Sequence, residues 1–246
     1  MLEFLNEHLK AGRIRPSKSH VAASTWMIPK DDPDDMPRVV HDYRELNSIT
    51  VKDHIPLPRQ EDIMRSMARA KVRGKVDFIC AYYQILMDER DVHKTAFKTP
   101  YGLFEWLVMS QGLCNAVAMF QWFVNYILLE AGLGECCQGY VDDIAIRSDS
   151  IEEHMQNVRK VLDVLREHGL IASACKSMLV ADRIEFLGHI ISSKGIEVHP
   201  DKVDKIIAVH PPRSSQDVKE FKGLVNYIGQ FIPGLSHWST VLSSLT

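Results

Sequence analysis

The sequence predicts an α+β or mixed α/β fold built on one substantial core. Short β-prone runs bounded by turn residues alternate along the chain with apolar residues at helical spacing. The 246 residues contain no repeat and no low-complexity tract, and their length suits a single core or one domain with lobes.

The elements follow in chain order. Leu2, Leu5 and Leu9 recur at helical spacing before Gly12, so an amphipathic helix opens the chain. Its abrupt start implies a chain that begins inside a larger polypeptide. A strand over Trp26–Ile28 and a returning strand over Arg38–Val40 flank the acidic segment 31–37, which reads as a hairpin tip. Two prolines in 53–58 make an extended connector. Ile63 and Met67 then predict a helix to about Ala70, and Val72–Ile79 a strand with Asp77 near its end. Thr95–Thr99 and Phe104–Val108 form a hairpin around Pro100-Tyr-Gly102. Ala116–Leu129 is too long and apolar for a strand and predicts a buried helix ending near Gly132.

Gly139–Ile146 places two acids between β-prone arms, a tight hairpin. Ser150-Ile-Glu-Glu153 is a capping box for a helix with Ile151, Met155, Val158, Leu162 and Leu165 inward, stopping near Gly169. Ile184–Ile191 is strand-like. A helix follows Pro200, and another carries Val218, Phe221, Leu224 and Ile228 inward.

Composition excludes more than it selects. Hydrophobic residues make up 46% and charged residues 25%, ordinary for a globular chain. No apolar run approaches the ~18 residues of a membrane span, and the N-terminus lacks the order of a secretory signal. Five cysteines without metal-ligand spacing read as buried small hydrophobes in a reduced intracellular compartment. His41, His189, His199 and His210 lack zinc spacing and read as solvated or hydrogen-bonded. Met119, Phe120 and Phe123 read as core. The net charge of −3 neither supports nor excludes nucleic acid, because distribution outweighs the sum.

Asp142-Asp143 stands in the middle of an apolar hairpin, between Val141 and Ile144. Adjacent carboxylates there repel each other and resist desolvation, so they must be exposed or neutralised by cations. A plain Asp-Asp turn is the competing reading, since Asp favours turns. Asp77 ends a strand where a solvated loop acid is not expected. If that strand end met the hairpin tip, three carboxylates could hold two Mg²⁺ ions ~3.5–4 Å apart, the arrangement for in-line phosphoryl displacement.

With these residues in view, the chain resembles a reverse transcriptase of the gypsy-type LTR retrotransposons, kin of the retroviral RNA-dependent DNA polymerases. The resemblance rests on ordered blocks: Arg15-Pro-Ser17, Val40-His-Asp-Tyr-Arg-Glu-Leu-Asn47, Pro56-Leu-Pro58, Lys94-Thr-Ala-Phe97, Gln111-Gly-Leu113, Tyr140-Val-Asp-Asp143, Phe186-Leu-Gly-His189 and Lys222–Phe231. It implies a right hand with fingers at 1–51 and 85–115, palm at 52–84 and 116–194, and thumb at 195–246. The metal-binding positions would be Asp77, Phe78, Asp142 and Asp143, holding two Mg²⁺ with Mn²⁺ as a substitute. Tyr82 would be the steric gate excluding a 2′-hydroxyl, with Cys80 and Ala81 facing the same nucleotide. Gln111 and Gly112 would contact the nucleotide and template, and Tyr140 and Val141 would line the substrate. Lys30 and Arg38 would grip the triphosphate, Arg44 would sit near the template, and Lys176 would protonate pyrophosphate. Phe186, Leu187, Gly188 and His189 would form the primer grip.

The implied partners are a primed RNA or DNA template, deoxynucleoside triphosphates, and RNase H and integrase domains of a polyprotein outside this chain; no membrane is implied. The implied setting is a cytoplasmic virus-like particle and the nucleus. The sequence departs from the family pattern at Val117 and His20, where proline is usual, at Pro37 before Arg38, and at Phe78 after Asp77. Loss of a helix-start proline at Val117 motivates an alternative, a catalytically weak retroelement-derived domain that binds nucleic acid or protein. An RNA-synthesising palm enzyme is a third reading, separated by the sugar it incorporates. The competing readings are core strand aromatics for Tyr82 and Tyr83, a polar loop residue for Gln111 and a solvated surface lysine for Lys176.

Overall fold

The computed structural model describes residues 1–30 and 37–243; the predicted hairpin tip, apart from Pro37, lies outside them. Helix α1 (Leu2–Lys10) is followed by strands β1 (Ile14–Pro16), β2 (Thr25–Ile28) and β3 (Arg38–His41). Helices α2 (Arg44–Ile49) and α3 (Gln60–Arg69) lead into β4 (Val72–Asp77). Next come α4 (Glu89–Val92), β5 (Phe97–Thr99), β6 (Gly102–Trp106) and α5 (Ala116–Glu130). Strands β7 (Cys137–Tyr140) and β8 (Asp143–Ser148) precede α6 (Ile151–Glu167). Then follow β9 (Met178–Ala181), β10 (Arg183–Phe186), β11 (His189–Ser192) and β12 (Gly195–Val198). Helices α7 (Pro200–Ile207), α8 (Ser215–Tyr227) and α9 (Leu235–Ser243) complete the described chain, in which no helix is long and apolar enough to cross a membrane.

The central sheet has the order β7-β8-β4-β9 and is antiparallel throughout. Alternation along its strands sorts side chains to two faces. Val76, Ile144 and Ile146 meet Phe120, Val124 and Ile127 of α5 and Val158, Val161 and Leu165 of α6. Ala145 faces the other way, into a core of Ile63, Met64 and Met67 from α3 with Ile184, Phe186 and Ile191 of the β10-β11-β12 sheet. A separate cluster of Leu5, Ile14, Phe97, Phe104 and Trp106 underlies the β1-β6-β5 sheet.

Several expected faces are rotated. In α1, Leu5 and His8 are buried while Leu2 and Leu9 are exposed. In α6, Val158 and Leu165 point inward as expected, but Ile151, Met155 and Leu162 are exposed and His154, Asn157 and Val161 take their place. The cause is polar. His154 ring nitrogens lie 3.0 Å from Ser148 Oγ and 2.8 Å from the Leu179 carbonyl, and Asn157 Nδ2 donates to Ser148 Oγ at 3.1 Å. Satisfied polar side chains can occupy an inward face, which apolar counting overlooks. In α8, Val218, Val225 and Ile228 are buried, Phe221 is half-buried and Leu224 is exposed.

The α6 cap is also modified. Ser150 Oγ accepts from Glu153 N, but Glu153 Oε2 accepts from Asp149 N rather than closing the box on Ser150. Met119 is exposed on α5, Phe123 is half-buried and only Phe120 is fully core. Of the cysteines only Cys137 is buried, whereas Cys80, Cys114 and Cys175 are exposed. The run 184–191 is a hairpin rather than one strand, because Leu187 and Gly188 both take positive φ. β4 stops at Asp77, and Tyr82 and Tyr83 lie in a 3-10 turn, Ala81–Gln84, instead of a strand.

His41 and His189 are buried and, as expected, hydrogen-bonded: His41 Nδ1 lies 3.0 Å from Thr25 Oγ1 and His189 Nδ1 2.9 Å from the Leu187 carbonyl. His8 and His41 pack around Trp106, and His8 Nδ1, His41 Nε2 and Trp106 Nε1 have no hydrogen-bond partner among the described residues. Burial is the main cause that pushes both imidazoles down to about 4. The unfolded chain, with histidines near ~6.5, therefore binds more protons between these values. Stability should fall as pH drops from about 6.5 toward 4, by up to about 1.4 kcal/mol per unit for each histidine. Urea unfolding of His41→Phe across that range should show a shallower slope than the parent. Equal slopes would clear His41 of the effect.

Candidate active site

The β7–β8 hairpin closes on the pair Tyr140↔Asp143, leaving a loop of Val141 and Asp142. Two-residue hairpins need positive φ, usually supplied by Gly or Asn. Here Val141 takes it, at φ +51°. A β-branched residue there stores strain on the order of 1–3 kcal/mol, which its surroundings must offset. Gln121 of α5 does so: Val141 N donates to its Oε1 at 2.8 Å, and its Nε2 donates to the Gly139 carbonyl at 2.8 Å. Gly139 makes that approach possible, since a Cβ there would stand 2.7 Å from Val124 Cγ1. On the opposite side Tyr140 OH accepts from Gln60 of α3. Gln121 was not among the predicted residues; a buried glutamine inside an apolar helix was the available signal.

Asp77 is the register partner of Asp143 in the β4–β8 ladder, and Phe78 N donates to the Asp142 carbonyl at 3.0 Å. The acid at 77 thus stands beside the pair at 142 and 143. Its backbone is held by the segment before β9: Asp77 N donates to Ser177 Oγ at 3.0 Å and Ser173 N to the Asp77 carbonyl at 2.7 Å. The same segment carries exposed Lys176 close enough to lower the proton affinity of Asp142. Among the described residues, Cys80, Val141 and Leu187 are the non-glycine residues with positive φ, and all three lie in predicted site segments. Strain of this kind concentrates at functional sites.

The acids sense one another. Asp143 is pushed up to about 6, first by burial and then by Asp77 and Asp142, with Lys75 opposing. Asp142 is raised by desolvation and by Asp77. Asp143 Oδ1 is buried without a hydrogen-bond partner among the described residues, and Lys75 Nζ stands 3.7 Å from it. Repelling carboxylates with an unsatisfied hard oxygen suit a divalent ion such as Mg²⁺. As they are oriented, however, no three His, Cys, Asp or Glu side chains among the described residues are grouped so as to hold one.

Tyr82 is half-buried against Phe120, ring centroids 6.0 Å apart, and its hydroxyl is pushed up to about 12 by burial and by Asp142. Ala81 is buried beside exposed Cys80, and Phe78 is core. The tip of the β10–β11 hairpin is the Leu187–Gly188 turn. Phe186 and His189, on either side of it, are buried. His189 lies against Tyr227 and Phe231, and Tyr227 OH donates to the Leu187 carbonyl at 2.5 Å.

The remaining predicted residues sit on other elements. Arg38 is on β3 opposite Ile28, and Lys30 lies two residues beyond β2. Arg44 opens α2 and makes a two-pronged contact with Asp42. Gln111 and Gly112 are exposed before α5, in a loop that Asn47 anchors by donating to the Gly112 carbonyl and accepting from Cys114 N.

The family model described as Reverse transcriptase (RNA-dependent DNA polymerase) matches residues 28–191. The chain is 35% identical over 245 residues to the Retrovirus-related Pol polyprotein from transposon opus of Drosophila melanogaster, covering 98% of this chain and 24% of that protein. It is also 35% identical to the Transposon Tf2-3 polyprotein of Schizosaccharomyces pombe, covering 100% of this chain and 18% of that protein. It thus spans about a quarter or less of these relatives. Among solved structures, the foamy viral protease-reverse transcriptase dRH with ds DNA superposes with a TM-score of 0.89 at 26% identity, over 98% of this chain and 42% of that one. The same viral protein with RNA/DNA hybrid gives 0.87 at 26% identity, over 98% and 32%.

Proposed function

Because the chain belongs to the reverse transcriptase (RNA-dependent DNA polymerase) family, we propose that it carries out RNA- and DNA-templated DNA synthesis from deoxynucleoside triphosphates. Its α+β fold is the right-hand polymerase fold of the viral reverse transcriptases. The observation that carries the proposal is the Asp77↔Asp143 register pair beside Asp142 at a strained hairpin tip. In that reading the fingers comprise 1–51 and 85–115, the palm 52–84 and 116–194, and the thumb 195–246.

The primer 3′-hydroxyl attacks the α-phosphorus and pyrophosphate leaves. Asp77, Asp142 and Asp143, with the Phe78 backbone, would hold two Mg²⁺, or Mn²⁺ in their place. Such ions supply neutralisation of the charge that grows on the phosphate oxygens. The chain's own groups do the rest. Tyr82 packs on Phe120 and so presents a fixed ring beneath the sugar. Lys30 and Arg38 grip the triphosphate from the two arms of one hairpin. Lys176, near Asp142, delivers a proton to the departing pyrophosphate. The Leu187–Gly188 turn supports the primer end; a Cβ at Gly188 would stand 2.7 Å from Tyr227 OH, so glycine lets the thumb helix close on the turn. The DNA duplex and RNA/DNA hybrid named for the viral structures support a primed template as partner. The relatives are polyproteins, which supports further domains as neighbours; RNase H and integrase are the ones this reading expects.

Primer extension on RNA and DNA templates with Mg²⁺ tests the proposal, and deoxynucleotide addition is the expected result. Binding of primer–template without any addition would favour the second reading, a catalytically weak domain, which the departure at Val117 motivates. Tyr82→Val should raise ribonucleotide relative to deoxynucleotide incorporation by about 10-fold or more, roughly 1.4 kcal/mol of lost discrimination. An unchanged ratio would remove Tyr82 from sugar selection.

A further inference from the structure

We propose that Lys75 is a positioning residue: an internal counter-ion that competes with a divalent cation for Asp143 and so raises the ion concentration at which the carboxylate site fills. This rests on the reading of Asp77, Asp142 and Asp143 as metal ligands.

The sheet register makes the case. Lys75 and Asp77 are two apart on β4 and share a face. Asp143 lies directly opposite Asp77, and Lys75 lies opposite Ala145, which makes Lys75 the diagonal neighbour of Asp143. Asp143 therefore has two neighbours of opposite sign, an acid across the ladder and an ammonium on the diagonal. Cross-strand and diagonal pairs are both within reach of long side chains.

Its carboxylate meets the ammonium at 3.7 Å, and both side chains are only 17% exposed. Poor solvation strengthens that attraction. Ala145 leaves room for the lysine stem, because the residue across from it is small. A divalent ion must displace the ammonium or bind beside it, and either way it meets one positive charge too many. The triphosphate brings further oxygens and negative charge, so the site fills with the nucleotide more readily than with the ion alone.

The test is Mn²⁺ binding to the protein without nucleic acid, followed by the EPR signal of the free ion, and Mg²⁺ binding by calorimetry. Lys75→Met keeps the stem and removes the charge; Lys75→Gln replaces it should the methionine variant fail to fold. The neutral variant should bind Mn²⁺ about 10-fold tighter than the parent, while Lys75→Arg stays within about 3-fold of it. The gain should vanish in Lys75→Met combined with Asp143→Asn. If the parent binds the ion and Lys75→Met binds it equally or more weakly, the proposal is overturned and the metal site stands. If none of the proteins binds either ion, the metal reading fails and takes this proposal with it.

Discussion

Asp77→Asn should cut nucleotide addition by about 10²–10³-fold, the scale for deleting one group that stabilises transition-state charge, while making the protein more resistant to unfolding. The two effects have one source. Asp77 adds a charge to a strip of sheet where Asp142 and Asp143 already repel it and each other. Asparagine has the same shape and leaves the backbone bonds to Ser173 and Ser177 intact. Without divalent ions, stability should therefore rise by the order of 1 kcal/mol, what two unit charges about 4 Å apart exchange in a water-like dielectric. Added Mg²⁺ should stabilise the parent more than the variant, since an ion that binds the folded state shifts unfolding by mass action. Melting curves with EDTA and with Mg²⁺, beside primer extension, measure both. A variant that loses activity and also melts lower in EDTA would mean that Asp77 serves the fold and not the chemistry.

Arg73→Met should lower stability by about 3–5 kcal/mol, because it leaves several buried carbonyls without donors at roughly 1–3 kcal/mol each, partly offset by no longer burying a charge. Arg73 is 1% exposed and makes no salt bridge among the described residues, the Asp182 carboxylate acting on it only from farther away. Its guanidinium donates instead to four carbonyls: Met67 at 2.7 Å, Ala68 at 3.1 Å, Ala70 at 2.5 Å and Asp182 at 3.1 Å. Three of these lie at the end of α3, where helix carbonyls lack intrahelical partners. The fourth ties in the turn between β9 and β10. Methionine would fill much of the same volume and leave all four acceptors short. At about 2–4 °C per kcal/mol for a chain of this size, the midpoint should drop by roughly 6–20 °C. A drop of only a degree or two would mean that water replaces the guanidinium at no cost.

Local patterns were legible wherever a single residue dictates its surroundings. Pro56 and Pro58 made a connector, and Ser150 capped a helix by accepting from Glu153 N. Faces were less legible. Helix α6 turned on His154 and Asn157, polar residues whose partners come from β8 and the segment of β9. Strand β9 was missed because Met178, Leu179 and Val180 are all exposed on an edge and show no alternation. The hairpin at Leu187–Gly188 was read as one strand because leucine does not announce a positive φ. At the site, Asp142 and Asp143 stood out because charge in an apolar hairpin demands a reason, whereas Lys75 and Gln121 acquire meaning only from what they touch.

The sequence by itself determined which chemical groups are present, their order along the chain and the family they belong to, because side-chain chemistry and motif order survive without coordinates. Only the tertiary structure decided that residue 77 faces residue 143, that Gln121 holds the strained loop, and that Lys75 reaches one of the three acids. Those are relations between strands and helices distant in the chain. Their register is set by which faces bury together, a property of the whole core that no local window contains.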